Sequence, residues 1–157
     1  MQYTLFDLLK PEHVLVGGQA ADARGAIEWL SRPLIDSGNV AAEFAEDVWK
    51  REQSFPTGLP TQPLAVAMPH ADPDHVLTSA VAIGVLNAPV EFSQMGTDGS
   101  VRLPARILFL LAIKEREKQV AMIAQLMSLI QSQSLLAGLA GARHPAVALE
   151  LMRKTAG

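Results

Sequence analysis

The stretch L-A-V-A-M-P-H-A-D, from Leu64 to Asp72, decides how the chain is read. Its first part, Leu64 to Met68, is an apolar run of the length expected for a buried strand. Pro69 has no N–H to give to a ladder and fixes its own φ, so the strand is expected to stop there. His70 and Asp72 follow at once. A buried strand that ends abruptly in an imidazole presents that ring at a sheet margin. Loops held by a rigid scaffold are where binding and catalysis concentrate. Taken alone, the histidine reads first as a loop residue with no duty, because imidazoles have many structural uses.

Upstream, Thr57-Gly58-Leu59-Pro60-Thr61 reads as a loop feeding the strand. Before it a helix is expected from about Ala41, with Ala41, Phe44, Ala45 and Val48 on one face and Phe55-Pro56 at its end. Glu43, Glu46 and Asp47 come early and Lys50 and Arg51 late, the order that suits the helix dipole. Arg51 and Glu52 project from the last turn towards the loop and strand beyond it. An earlier helix starts at Ala23 with Ala26, Ile27, Leu30 and Leu34 inward, Asp22 as N-cap and Ser37-Gly38-Asn39 as the stop. Pro33 within it predicts a kink or an early end. His13 to Val16 reads as a β segment closed by Gly17-Gly18, with His13 at the surface or rim. Leu5 to Leu9 is a helical turn or a strand, closed by Lys10-Pro11.

Downstream, the loop A-D-P-D-H leads to a strand over Ala80 to Leu86. Val90 to Met95 and Val101 to Leu103 are expected to pair across the Asp98-Gly99 turn. Ala105 to Ile113 lacks alternation, which predicts a strand covered on both faces. K-E-R-E-K then opens a helix with Val120, Ile123, Met127 and Ile130 as its core stripe. A short helix follows over Ser134 to Leu139. Pro145 opens a last helix, with Val147, Leu151 and Met152 inward and His144 beside its N-cap. Strands interleaved with helices give an α/β sandwich, a single domain over residues 1–157 with a mixed, mostly buried sheet flanked by helices on both faces.

The totals exclude several classes. Thirteen basic and sixteen acidic side chains leave a net charge of −3, and no basic run suggests nucleic acid. Cysteine is absent, so there is no disulfide frame and no thiol nucleophile. The four histidines, at 13, 70, 75 and 144, lack metal-ligand spacing, so neither a metal nor another cofactor is expected. The longest apolar run, Ile107 to Ile113, is far short of the roughly twenty residues of a membrane span. The N-terminus carries no secretion signal, which gives a cytoplasmic expectation without direct membrane insertion. A hydrolase using His70 and Asp72 as a base pair is disfavoured, because the chain has neither a cysteine nucleophile nor a G-x-S-x-G elbow.

Three pieces in order carry a resemblance: R-E-Q-S-F-P-T-G-L (Arg51 to Leu59), A-V-A-M-P-H-A (Ala65 to Ala71), and I-L-F-L-L-A-I followed by K-Q-V-A-M-I-A-Q-L-M (Ile107 to Met127). Together they resemble the enzyme IIA domain of the bacterial phosphoenolpyruvate-dependent sugar phosphotransferase system, fructose/mannitol class. The A-D-P-D-H extension and Gln119 are most similar to galactitol-type members. The resemblance implies the mannitol/fructose-type IIA fold and a phosphocarrier. It would take a phosphoryl group from phospho-HPr on His70 and hand it to a IIB partner, which serves a IIC membrane component. Nitrogen-type relatives offer a regulatory alternative, in which the phosphorylation state of the histidine controls protein binding.

Phosphoryl oxygens need donors, and the fork of Arg51 suits them, although alone it reads equally as a helix-terminal cation. Thr57 and the Gly58 backbone could add hydrogen bonds, or be plain turn chemistry. Glu52 would orient Arg51 or lie in solvent. Mannitol- and fructose-type members carry a second histidine where this chain has Gln119, whose amide can donate but carries no charge. His75 is a possible second histidine, or a loop-surface residue. Leu59, Pro60 and Met68 are possible contributors to a partner surface.

Overall fold

The computed structural model describes residues 4–157. Among them a five-stranded mixed sheet runs in the order β1 (Leu9–Gly18), β4 (Ala80–Ser93), β5 (Arg102–Ala112), β3 (Ala65–Ala67), β2 (Gly58–Leu59). β1 is parallel to β4, β4 antiparallel to β5, β5 parallel to β3, and β3 antiparallel to β2. The helices are α1 (Ala23–Asp36), α2 (Phe44–Ser54), α3 (Arg116–Leu129), α4 (Gln133–Gly141) and α5 (Pro145–Ala156). Two apolar layers sandwich the sheet, as expected for an α/β fold covered on both faces.

β5 shows why alternation is missing from its sequence. Ile107, Phe109 and Leu111 pack with Met122, Leu126, Leu139 and Met152 on the face covered by α3, α4 and α5. Leu108, Leu110 and Ala112 pack with Ile27, Leu30, Phe44 and Val48 on the face covered by α1 and α2. Side chains alternate between faces, so a strand buried twice must be apolar at every position. Each large side chain removed from water contributes about 1.5–3 kcal/mol, which makes this strand the axis of the core.

Several expectations change in detail. The Val90 and Val101 segments do not stand alone: β4 continues through Pro89 with an irregularity between Val85 and Val90, and β5 starts at Arg102. β1 likewise begins at Leu9 and runs through Pro11, because an edge strand can spare an N–H. That extension draws His13 into the interior, 1% exposed, with Nε2 3.1 Å from the Ser37 hydroxyl. Pro33 does not end α1, since it falls in the last turn, where few ladder bonds remain to be lost. The Asp22 carboxylate does cap α1, accepting from the Gly25 N–H at 2.8 Å.

α2 starts at Phe44, later than Ala41, whose N–H is instead donated to the His75 carbonyl at 2.9 Å. α3 turns Met122, Leu126 and Leu129 inward; of the expected stripe, Ile130 is buried and Ile123 and Met127 pack partly against the core, whereas Val120 is 69% exposed. The run V-A-M-I-A-Q-L-M is apolar on more than one side, so periodicity alone does not choose its inner face. In α5 the same ambiguity turns Ala148 and Leu149 inward with Met152, leaving Val147 exposed.

Close approaches need glycine at two places. A Cβ at Gly84 would stand 2.7 Å from the Trp29 ring of α1. One at Gly58 would stand 2.6 Å from the Ser93 carbonyl oxygen, where β2 bridges the end of β4 and Gly58 accepts from the Met95 N–H at 2.8 Å. Backbone atoms cannot yield as a flexible side-chain tip does. Gly58→Ala should therefore lower stability by about 1–3 kcal/mol, read as a fall in the thermal midpoint. A midpoint equal to the parent's would contradict the packing at β2.

Candidate functional site

The site lies where β3 and β5 end side by side. Parallel pairing brings their C-terminal ends to one margin of the sheet. Although β3 stops at Ala67, the pairing persists as a bridge between His70 and Leu111, with the Leu111 N–H donating to the Pro69 carbonyl at 3.1 Å. α3 begins just past the end of β5, which brings Gln119 to the same margin. From the other side, α2 delivers Arg51 in its last turn.

His70 is half-buried, and its ring is held by one bond. Nδ1 lies 2.8 Å from the Met68 carbonyl oxygen. A carbonyl can only accept, so Nδ1 carries the proton and Nε2 keeps its lone pair. The acceptor is the residue just past the end of β3, before the histidine, and not one from the loop after it. Burial lowers the His70 pKa from its ordinary value, helped by the Arg51 cation, while the Met68 carbonyl and Asp72 pull the other way. The neutral ring is thus the dominant form at neutral pH. Because Nδ1 faces Met68, His70 and Asp72 do not form the dyad a hydrolase would need.

Arg51 sits under the Phe55 ring, its guanidinium carbon 5.0 Å from the ring centroid, and 3.9 Å from Asp72 through Nη1 and Oδ1. Such a half-exposed pair contributes about 0–1 kcal/mol. Its Nε is buried without a hydrogen-bond partner, as is Oε1 of Gln119. Buried polar groups are normally paired, so these two mark unused hydrogen-bonding capacity. A half-turn of the Gln119 amide would offer its NH2 in place of the oxygen.

Glu52 and Thr57 differ from expectation. Neighbours on a helix point about 100° apart, and here Glu52 turns inward while Arg51 stays at the rim. Glu52 is 5% exposed and accepts from the Thr57 N–H and hydroxyl, both at 2.8 Å. The Thr57 oxygen in turn accepts from the Met68 N–H at 3.2 Å. The hydroxyl proton of Thr57 is therefore committed to Glu52. One buried carboxylate fixes β2 to the end of β3 and holds the residue whose carbonyl orients His70. The sequence signal was a charged pair ending a helix: two adjacent charges cannot share one direction. His75 lies on α2's side of the loop, its Nδ1 paired with Asp47, which raises its pKa. Among the described residues no group of three His, Asp or Glu side chains is placed to hold a metal ion, and no single helix is long and apolar enough to cross a membrane.

A neutral imidazole with one aimed lone pair, beside a guanidinium with N–H capacity to spare, is equipment for accepting and returning an anionic group. The chain belongs to the family of phosphoenolpyruvate-dependent sugar phosphotransferase system, EIIA 2, whose profile matches residues 7–155. It is a phosphocarrier component of that system. The Streptococcus mutans protein described as a IIA protein, PtxA, shares 24% identity with a TM-score of 0.79, covering 98% of this chain and 95% of that one. Escherichia coli mannitol enzyme IIA, in its complex with phosphorylated enzyme IIB, shares 25% identity with a TM-score of 0.75, covering 94% and 99%. The Neisseria meningitidis nitrogen regulatory protein IIA-Ntr shares 18% with a TM-score of 0.69, covering 93% and 97%. No curated protein matches the chain.

Two titrations test these partners. In a histidine NMR titration, His70 should change charge below the ordinary value of about 6.5 and His75 above it; the reverse order would refute the assigned partners. Burial pushes the Glu52 carboxyl up to about 7. The folded state then holds a proton that the unfolded state has released, so this group's contribution falls as pH rises from about 4.5 through 7. Relative to Glu52→Gln, the parent should lose about 1–3 kcal/mol between pH 5 and 8 in denaturant unfolding. Parallel stability profiles would contradict the buried carboxylate.

Proposed function

We propose that His70 Nε2 is the phosphoryl seat of this protein, loaded from phospho-HPr and unloaded onto a IIB partner. The observation that carries this is the 2.8 Å bond from His70 Nδ1 to the Met68 carbonyl, which leaves the ring's lone pair on Nε2. The Nε2 lone pair attacks phosphorus in line as the bond to the donor breaks. The ring keeps its Nδ1 proton on Met68, and the positive charge developing on the ring is shared with that carbonyl. Phosphoryl transfer needs positioning and charge stabilisation more than covalent help. Arg51 supplies charge and directed N–H groups, Gln119 a neutral amide, and Thr57 supports the Met68 backbone from behind.

The IIB partner is suggested by the mannitol relative, which forms a complex with its phosphorylated IIB. Through IIB the phosphoryl group would reach a IIC membrane component and the incoming sugar, with the exchange itself in the cytoplasm. Phe55, 62% exposed beside Arg51, and Val120, next to Gln119, supply an apolar rim on which a protein partner could seat. The loop from Ala71 to His75 and the amide at Gln119 favour a galactitol-like system.

Incubation with phosphoenolpyruvate, enzyme I and HPr should add one acid-labile phosphoryl group by intact mass, and His70→Ala should abolish it. A parent that gains nothing would reject the reading. Arg51→Ala should slow loading on the order of 100-fold, as losing a transition-state donor does; an unchanged rate would remove Arg51 from the site. Addition of IIB should discharge the protein. Persistence of the phosphoryl group with every IIB offered would favour the regulatory role.

A further inference from the structure

Asp72 places a negative charge where an acceptor of anions has no evident use for one. It is the N-cap of the short turn Pro73–His75, yet its side chain makes no cap hydrogen bond, although aspartate at such a position ordinarily turns back onto backbone N–H groups. Its carboxylate lies instead 3.9 Å from Arg51, Oδ1 to Nη1. Among the described residues it is the one carboxylate within ion-pair reach of that guanidinium, because Glu52 is turned inward to Thr57. Both charges reach His70, where the guanidinium opposes a positive ring and the carboxylate favours it. The stabilisation of the turn does not require Asp72, since Val76 donates to the Pro73 carbonyl at 3.0 Å and His75 is tied to Asp47.

We propose that Asp72 is a placeholder counter-ion, which occupies Arg51 while His70 is bare, is displaced by the arriving phosphoryl group, and by repulsion keeps that group ready to leave. The proposal rests on His70 as the phosphoryl seat. In loading, the Nε2 lone pair forms the N–P bond and the electron pair of the broken bond stays with the donor. In unloading, the N–P bond breaks, its pair returns to Nε2, and phosphorus bonds the acceptor. Asp72 exchanges no proton or electron in either step, so its influence is purely electrostatic. In the bare state Arg51 offsets it. In the loaded state the dianion takes Arg51, and the carboxylate faces like charge.

The experiment is the equilibrium between phospho-HPr and this protein, read by intact mass after mixing the purified partners, with circular dichroism confirming the fold of each variant. Asp72→Asn should shift the equilibrium towards the loaded protein by about 2- to 5-fold, the scale of a half-exposed charge pair. It should also slow hydrolysis of the phosphoryl group in proportion. Asp72→Glu should restore the parent's direction. The gap between parent and Asp72→Asn should shrink at about 1 M salt, where the screening length falls to about 3 Å. If the parent loads and Asp72→Asn leaves the equilibrium unchanged, or moves it towards the donor, the placeholder role is overturned and the seat on His70 stands. Equal shifts in Asp72→Asn and Asp72→Glu would overturn it too, since geometry and not charge would then be responsible. A parent that never loads would sink both readings.

Discussion

Everything at the site depends on the bond between His70 Nδ1 and the Met68 carbonyl. It chooses the tautomer, leaves the lone pair on Nε2, and ties the ring to the last residue before Pro69. A side-chain acceptor could do the first of these but would swing on its own torsions. A backbone carbonyl at a strand end is as rigid as the sheet behind it. Met68 in turn is fixed from the other direction, its N–H donated to Thr57 and Thr57 bound to buried Glu52. The ring is therefore positioned by the core, even though it belongs to a loop.

The sheet makes that arrangement possible because it is buried on both faces. A strand covered on one side only could place a histidine at its end, but the end would move with the exposed edge. Here β5 is apolar at every position from Ile107 to Ala112 and lies under helices on both sides. β3 borrows that rigidity through its pairing with β5, despite being only the segment Ala65–Ala67. The bridge to Leu111 carries the same register past Pro69 to His70 itself. The proline costs the ladder a donor, not an acceptor, and its carbonyl is the atom that Leu111 uses.

This division between core and loop explains how much was legible in the residues alone. The strand within Leu64 to Met68 could be read, though only Ala65–Ala67 pairs as β3, because a short apolar run stopped by proline suits a buried strand. The double cover of β5 could be read because absence of alternation has a direct physical meaning. The inner face of α3 could not, since Val120, Met122, Ile123 and Leu126 allow more than one apolar side and only tertiary packing selects one. β2 was hidden for another reason: Gly58 and Leu59 have no strand propensity to speak of, and they pair because β3 and the end of β4 offer them partners. The acceptor for Nδ1 was out of reach because a backbone atom leaves no mark in the residue types. Glu52 was misjudged because a carboxylate beside an arginine is usually its partner, and the angle between adjacent helix positions was decisive instead.

The charge inventory has a consequence for what kind of carrier this is. His75 is taken up by Asp47, and Gln119 is neutral, so among the described residues Arg51 is the one cation whose placement beside His70 registers on the ring. A phosphoryl dianion seated there would be only partly neutralised, with Asp72 nearby. For an enzyme that binds and keeps a ligand this would be a defect. For an intermediary it is a requirement, because interactions that stabilise the loaded state deepen a well from which the group must next escape. On the proposed assignment, one guanidinium would guide and orient the transfer. With Nε2 as the proposed seat, a second cation in place of Gln119 would hold the phosphoryl group more tightly without improving the attack, and a neutral amide there would meet the oxygens without adding that attraction.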